Sequence, residues 1–484
     1  MSWHPDYLSA VLEPDYRHAR QHLLPHFLDA LSAHALGLLR VGTPHAAEAL
    51  AGLRRLREFQ PPDYDPGVED LFFALDRVLA AETPAGAGAL RTALSRNDLD
   101  MTVYRLAARQ QLLAAMDELL RLRRSFLTLA GAESATLMLA HSHHQPAQPI
   151  TFGHYLAAVE NSLSRDSARL RDALGRLNHS PLGAVALSGS SHPLDRPYTA
   201  ALLAFDGPVE NTYDAVSTGD WQLEIAGAVS TCAVTLSRCL YDLLNWASQG
   251  LLSLADGLVQ GSSVMPQKRN PVALEHARTR LSKVLGYAQA VVYSSHNTPF
   301  GDINDPGTDV QQPLWLLWTD FSQGLRLLIA SLEGLRIERE RWREQADHSD
   351  ATLTELADTL ARQTGDFRAA HHSAQALLSK LRAEGRPLHR ATDADLRALG
   401  LAVPDGTVQS ALDAQTFVTR RETLGGPGPA AMRAQLQHAG ERLGHDEETL
   451  ATWVARIGEA QTRLRNGSES LPTPTSPAGN INPG

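Results

Sequence analysis

Residues 101–131 read MTVYRLAARQQLLAAMDELLRLRRSFLTLAG. Apolar residues recur every three or four positions, Leu and Ala dominate, Pro is absent and Gly waits until the last position, so the run predicts one long helix. Similar runs over 151–177, 220–248 and 272–294 are each reached through a loop of Gly, Ser, Pro or His. Helices longer than the globular average, joined by polar loops, predict an all-α fold built on a long-helix bundle. Upstream, 8–40 and 46–59 carry helical spacing, and the Pro, Asp and Tyr of 60–67 break it. No useful length of alternating hydrophobicity occurs, so no sheet of any size is expected. Beyond Asp350 the predicted helices shorten, with Pro/Gly loops at 385–389, 403–406 and 425–429. The expected division is an N-terminal helical domain (1–98), a central long-helix bundle (99–350), a smaller helical C-terminal domain (351–465) and a disordered tail (466–484), where apolar residues are too few to pack.

Composition narrows the function. With 484 residues, 43% hydrophobic, the chain supports a large core. No stretch reaches the roughly 18 uninterrupted apolar residues of a membrane helix, and the first residues, MSWHPDYLSAVLEPDYRH, place His and Asp where a signal peptide is apolar. A cytoplasmic location and no membrane partner are therefore expected. A net charge of -10 argues against nucleic-acid binding, which needs a basic face, while leaving room for a small anionic substrate held by a few local cations. Cys232 and Cys239 lie within one apolar run, a spacing that suits neither a disulfide framework nor a metal site.

Residues 261–271 read GSSVMPQKRNP and lead into a long helix. By composition alone this is a polar linker. In its order of residues, however, the loop resembles the signature loop of the fumarase/aspartase superfamily, and its MPQK form is similar to argininosuccinate lyases. Two further segments match that family in the same order: SRND at 95–98, and HSHHQPAQPITFGH at 141–154, similar to the family's second active-site loop. Weaker likeness runs through 180–196, 205–220 and 418–436, so the resemblance covers roughly 68–443.

The resemblance implies elimination from a succinyl group. Taking a proton from the carbon beside a carboxylate loads a second negative charge onto that carboxylate, so the site needs cations and donors there, a base at the carbon and an acid at the departing nitrogen. It assigns the base to Ser262, an alkoxide steadied by backbone N–H groups, Ser263 and Lys268. Lys268 and Asn270 would hold the carboxylate that gains charge. Ser95 and Asn97 would donate to the succinyl carboxylates, with Arg96 placed beside them in the binding set or holding the loop's shape against Asp98. Ser142, where the family has threonine, would add a hydroxyl, and Gln145 and Met265 complete the substrate-lining residues. His143 and Glu275 match the family's proton-handling pair. No cofactor and no metal are implied; His141 and His144 lack a matching ligand set. The family also implies a homotetramer whose active sites draw loops from three chains, so that Ser95, Ser142 and Ser262 would not meet within one subunit.

One segment departs. Argininosuccinate lyases carry a Tyr-Asn-Lys-Asp-Leu-Gln-Glu-Asp run after the signature helix, and this chain has FGDINDPGTDVQQP at 300–313. Ala93 and Leu94 also replace the Gly-Arg before SRND. The succinyl half of the site is kept and the leaving-group half differs. The expected function is a carbon–nitrogen lyase that forms fumarate from an N-substituted aspartate, with a leaving group open among an amine, an amino acid, a hydrazine and nitrite. Asp302, Asp305 and Asp309 suit a cation. Argininosuccinate cleavage proper and a non-catalytic, crystallin-like role are the alternatives.

Overall fold

In the computed structural model, which describes residues 3–466, the run quoted first belongs to one helix, α1, from Arg96 to Ala132. It starts earlier than its apolar periodicity because SRND is its cap. The Ser95 hydroxyl accepts from the Asn97 N–H at 3.3 Å, and the Asp98 carboxylate accepts from the Ser95 N–H at 3.1 Å. Such a capping box satisfies amide groups that the first turn leaves without partners. Asp98 is fully buried and also accepts from the Gly183 N–H at 2.8 Å.

Five further long helices follow: α2 (Phe152–Leu177), α3 (Asp220–Ser248), α4 (Val272–Ser295), α5 (Gln311–Glu333) and α6 (Pro429–Asn466). α1 packs on α2, α2 on α3, α3 on α4, α4 on α5, and α5 returns to α1. Each apolar stripe therefore has neighbours on two sides. Leu112, Leu119 and Phe126, spaced by seven along α1, are all fully buried.

The residues expected to form a separate N-terminal domain contribute to this same core: Leu31, Leu36, Leu53 and Leu75 belong to one hydrophobic cluster with the bundle. Their chain is helical almost without a break from Pro5 to Arg40, with two π-helical stretches at Leu8–Leu12 and Ala19–Leu23. Residues 353–412 instead hold a core of their own around Leu377, Leu381, Leu396 and Val408.

The expected shortening of helices beyond Asp350 ends at Pro429. α6 runs for 38 residues along α1 and α2 and buries Met432, Leu443, Leu450 and Leu464 in the bundle core. Gly440, Gly444 and Gly458 hide it in the sequence, since each lowers helix propensity by about 1 kcal/mol against Ala. Tertiary contacts outweigh that: Arg123, itself fully buried, pairs with Glu160 of α2 at 2.9 Å and Asp446 of α6 at 2.6 Å. Of the expected disordered tail only Asn466, the last residue of α6, is described; the rest lies outside the described residues.

Residues read as a loop at 141–154 form a hairpin and the start of α2. β1 (Leu137–Ser142) pairs antiparallel with β2 (Gln145–Thr151), and the Thr151 hydroxyl caps α2 by accepting from the His154 N–H at 3.0 Å. Pro146 and Pro149 conceal β2, because proline removes a ladder donor and is tolerated only at sheet edges. A second small pair joins Leu252–Leu254 to Leu335–Ile337.

α3 has no uninterrupted apolar run, but by length and mean composition it is apolar enough to cross a membrane, a test that a core helix also passes; half of that apolar window is buried within this chain. Its place between α2 and α4 accounts for the apolar content.

Candidate active site

The loop of residues 261–269 is closed at its base by a backbone pair. The Gln260 N–H donates to the Asn270 carbonyl at 3.0 Å, and the Asn270 N–H to the Gln260 carbonyl at 2.8 Å. Arg269 pins that base through Asp256 at 2.6 Å and the Leu254 carbonyl at 3.1 Å. Sequence reasoning missed this anchor, because a lone loop arginine reads as a solvated charge.

Within the loop the Ser262 hydroxyl oxygen accepts two backbone donors, the N–H of Val264 at 3.2 Å and of Met265 at 3.0 Å. Donors aimed at an oxygen favour its ionised form. Ser263, Met265 and Lys268 are exposed, as is Glu275 in the first turn of α4. Neither the Lys268 ammonium nor the Glu275 carboxylate makes an ion pair among the described residues.

At the start of α1, the Ser95 hydroxyl donates to the Asn97 side-chain oxygen at 2.9 Å, and the Asn97 amide donates to the Asp302 carboxylate. The segment that departs from the family thus touches the segment that matches it. Arg96 pairs with Glu69 at 2.6 Å and Asp70 at 2.9 Å, so its charge already answers two carboxylates of its own chain.

Ser142, His143 and Gln145 stand exposed at the tip of the β1–β2 hairpin. The two turn residues, His143 and His144, have φ of 51° and 59°. Positive φ at both central positions is the geometry that matches strand twist in a two-residue hairpin, and histidine tolerates it better than most residues. Among the described residues no hydrogen bond or ion pair joins His143 to Glu275, or links the hairpin tip, the Ser262 loop and the Ser95 turn to one another.

The 300–313 segment, held by the Tyr213 hydroxyl on the Phe300 carbonyl at 2.8 Å and the Gln222 amide on the Pro306 carbonyl at 3.0 Å, borders a cavity of about 180 Å3. The first turns of α1 and the π-helical N-terminal stretch form its other walls. Asp15, Asp70, Asp100 and Asp309 line it. Burial, reinforced by Asp70, pushes the Asp100 carboxyl up to about 8, and burial with Asp309 pushes Asp15 up to about 6. The sequence carries no signal for Asp15 or Asp100, since helix carboxylates ordinarily face water.

A family model described as lyase matches residues 69–286, and one described as argininosuccinate lyase C-terminal matches 350–419. Argininosuccinate lyase 2 of Agrobacterium fabrum is 33% identical over 457 residues, covering 91% of each chain. Argininosuccinate lyase 1 of Shouchella clausii is 31% identical over 84% of this chain and 82% of its own. The crystal structure of EDDS lyase in complex with formate matches with a TM-score of 0.85 and 25% identity, covering 96% of this chain and 95% of that one. Identity spread over nine-tenths of the chain, on a shared helical frame, means that the protein belongs to the argininosuccinate lyase branch of the fumarase/aspartase superfamily and is a carbon–nitrogen lyase.

Proposed function

We propose that the protein eliminates an amine from an N-substituted aspartate, giving fumarate, with Ser262 as the base. The observation that carries this reading is the pair of backbone N–H groups on the Ser262 oxygen. A serine hydroxyl is far too weak a base unless its anion is stabilised, and these donors sit where that stabilisation is needed. The Lys268 ammonium on the same loop, which makes no ion pair among the described residues, adds to it and, with Asn270, binds the carboxylate that gains charge.

In the elimination, the proton on the substrate's β-carbon goes to Ser262. The C–H electron pair forms the new double bond and the C–N bond breaks towards nitrogen, which leaves as an amine after taking a proton. Ser95, Asn97, Ser142 and Gln145 serve as donors to the two carboxylates, and His143 with Glu275 moves the proton. Arg96 shapes the Ser95 turn through Glu69 and Asp70 and does not bind substrate directly. No cofactor takes part.

Because the three matching groups share no contact within one chain, we assign the complete site to a homotetramer in which loops of different subunits converge. Exposed apolar residues on the bundle support that assembly: Val234 and Tyr241 stand on one face of α3, and Val292 and Tyr293 on α4. A cytoplasmic location accords with this reading.

Incubation with fumarate and a set of amines, following loss of fumarate absorbance, tests it, since the reaction is reversible. A parallel assay for fumarate released from argininosuccinate separates arginine from other leaving groups.

A further inference from the structure

A second cavity, of about 480 Å3, lies further along α1, where that helix meets the Leu24–Arg40 helix and the C-terminal turns of α6. Arg109, in its wall, is about 20 Å along α1 from Arg96 at a rise of 1.5 Å per residue. No residue of the Ser95 turn, the hairpin tip or the Ser262 loop lines it. Its charges do not balance. Arg57, Arg109 and Arg465 gather about one carboxylate, Asp29: Arg57 pairs with it at 2.8 Å, and burial raises the Asp29 carboxyl while Arg57, Arg465 and Arg109 oppose that rise. Three cations about one anion leave two positive charges unanswered. Arg465, exposed on the last turn of α6, makes no ion pair and no hydrogen bond among the described residues.

Two buried side chains in the same wall point to what is missing. Arg109 is 5% exposed; it donates to the Asn178 side-chain oxygen and to the Leu203 carbonyl, each at 2.8 Å, and its guanidinium lies over the Phe205 ring at 4.9 Å. Neither acceptor carries a charge, and three of the five N–H groups of the guanidinium remain. Burial, and then the charge of Arg456, lowers its pKa to about 9, as befits a cation enclosed without a counter-charge. His26 is 7% exposed, and burial and then Arg109 hold it neutral with a pKa lowered to about 4. The Gln110 amide is the side chain within hydrogen-bond reach of its ring, and an imidazole has two nitrogens to satisfy. Much of the remaining wall is apolar, with Leu106 and Leu113 of α1, Leu202, and Ile457 of α6.

We propose that this cavity is a binding site for a phosphomonoester, its phosphate held by Arg57, Arg109, Arg465 and His26 and its apolar body laid against Leu106, Leu113, Leu202 and Ile457. A phosphomonoester carries close to two negative charges above its second pKa of about 6, which matches the surplus, and the guanidinium fork fits phosphate oxygens two at a time. Because the three cations share one neighbour, Asp29, they favour a dianion whose charge sits on a single group over a dicarboxylate whose charges stand apart. The apolar wall gives a bare phosphate nothing to cover. A ligand here bridges the Leu24–Arg40 helix, α1 and α6, and so stabilises the folded chain by mass action. It takes no part in the elimination, and the site stands whether or not the lyase reading does.

Titration calorimetry on the full chain at pH 7.5 and fixed ionic strength tests it with three probes: phenyl phosphate, inorganic phosphate and benzyl alcohol. Phenyl phosphate should bind about tenfold tighter than inorganic phosphate, and benzyl alcohol about a hundredfold more weakly than phenyl phosphate. Arg109→Gln risks the fold, because Arg109 also holds Asn178 and Leu203, so the deciding variant is Arg465→Ala, which removes an exposed side chain and should keep the parent's melting temperature. It should weaken phenyl phosphate by about tenfold, the effect of one charge-assisted contact. Lys268→Ala, in the catalytic loop, and saturating fumarate should both leave phenyl phosphate binding unchanged. Loss of binding in Lys268→Ala or under fumarate, with none in Arg465→Ala, places the anion in the catalytic loops and overturns the proposal. Equal affinity for phenyl phosphate and inorganic phosphate overturns the ester assignment, and no heat from phenyl phosphate at millimolar concentration overturns the site.

Discussion

The Asn97 side-chain amide donates to the carboxylate of Asp302, tying the first turn of α1 to the loop that departs from the argininosuccinate lyase pattern. Asn97 is a proposed donor to a substrate carboxylate, so Asp302 competes with substrate for it. Asp302→Ala should therefore lower KM for fumarate and raise KM for the amine, each by up to about tenfold, equivalent to about 1.4 kcal/mol. Initial rates with each substrate varied in turn measure both, and parallel changes in the two constants would speak against the competition.

Ser262→Ala should reduce kcat by roughly 10²–10⁴-fold, the span usual for loss of a general base. Ser262 lies in an exposed loop, so stability should stay within about 0.5 kcal/mol of the parent. Thermal melts beside the fumarate assay separate the two effects, and more than a few per cent residual activity would remove Ser262 as the base.

Mixing Ser262→Ala with His143→Ala should restore activity, because a site assembled from several subunits regains one complete set of loops in a mixed tetramer. The test is to unfold and refold the two inactive variants together. Recovery no greater than in either variant refolded alone would mean that each site is built from one chain.

Asp100 supplies a pH signature. Its folded-state carboxyl is raised to about 8 by burial and then by Asp70, against about 3.9 in an unfolded chain. The unfolded chain releases this proton first, so the stability it represents is fully present below about pH 4 and is lost as pH rises through about 8. Asp15, raised to about 6, acts in the same direction over the lower part of that window. Asp100→Asn should accordingly melt higher than the parent near pH 8.5 and no higher near pH 4. Equal melting shifts at both values would refute the raised carboxyl.

Arg123 binds α1 to α2 and α6 through Glu160 and Asp446, and both Arg123 and Glu160 are fully buried. Arg123→Met leaves the buried Glu160 charge with only the more distant Arg442, at 3.7 Å, and costs up to about 3–5 kcal/mol. A melting temperature lowered by several degrees is expected. Arg123→Met combined with Glu160→Gln should recover part of it, because the stranded charge is gone.

The long helices were legible because each carries its own signal, an apolar period over many turns free of proline, and such signals are local. The α1 cap was legible only in part: SRND stood out as a matching motif, but that Asp98 closes a capping box and also receives Gly183 required the partner segment to be in place. α6 was illegible for the opposite reason. Its glycines weaken the local signal, and its helix is held by partners such as Arg123, more than three hundred positions away.

By itself, the sequence determined the bundle architecture and picked out the loops proposed for the succinyl half of the site, because side-chain period and the order of residues within a loop are both properties of contiguous chain. Only the tertiary structure decided that the 300–313 segment, the π-helical N-terminus and the first turns of α1 enclose one acidic cavity. Asp15 and Asp100 are unremarkable where they stand in the chain; their energies are set by burial and by a nearby carboxylate, Asp309 for the first and Asp70 for the second, and these arise only when distant segments meet.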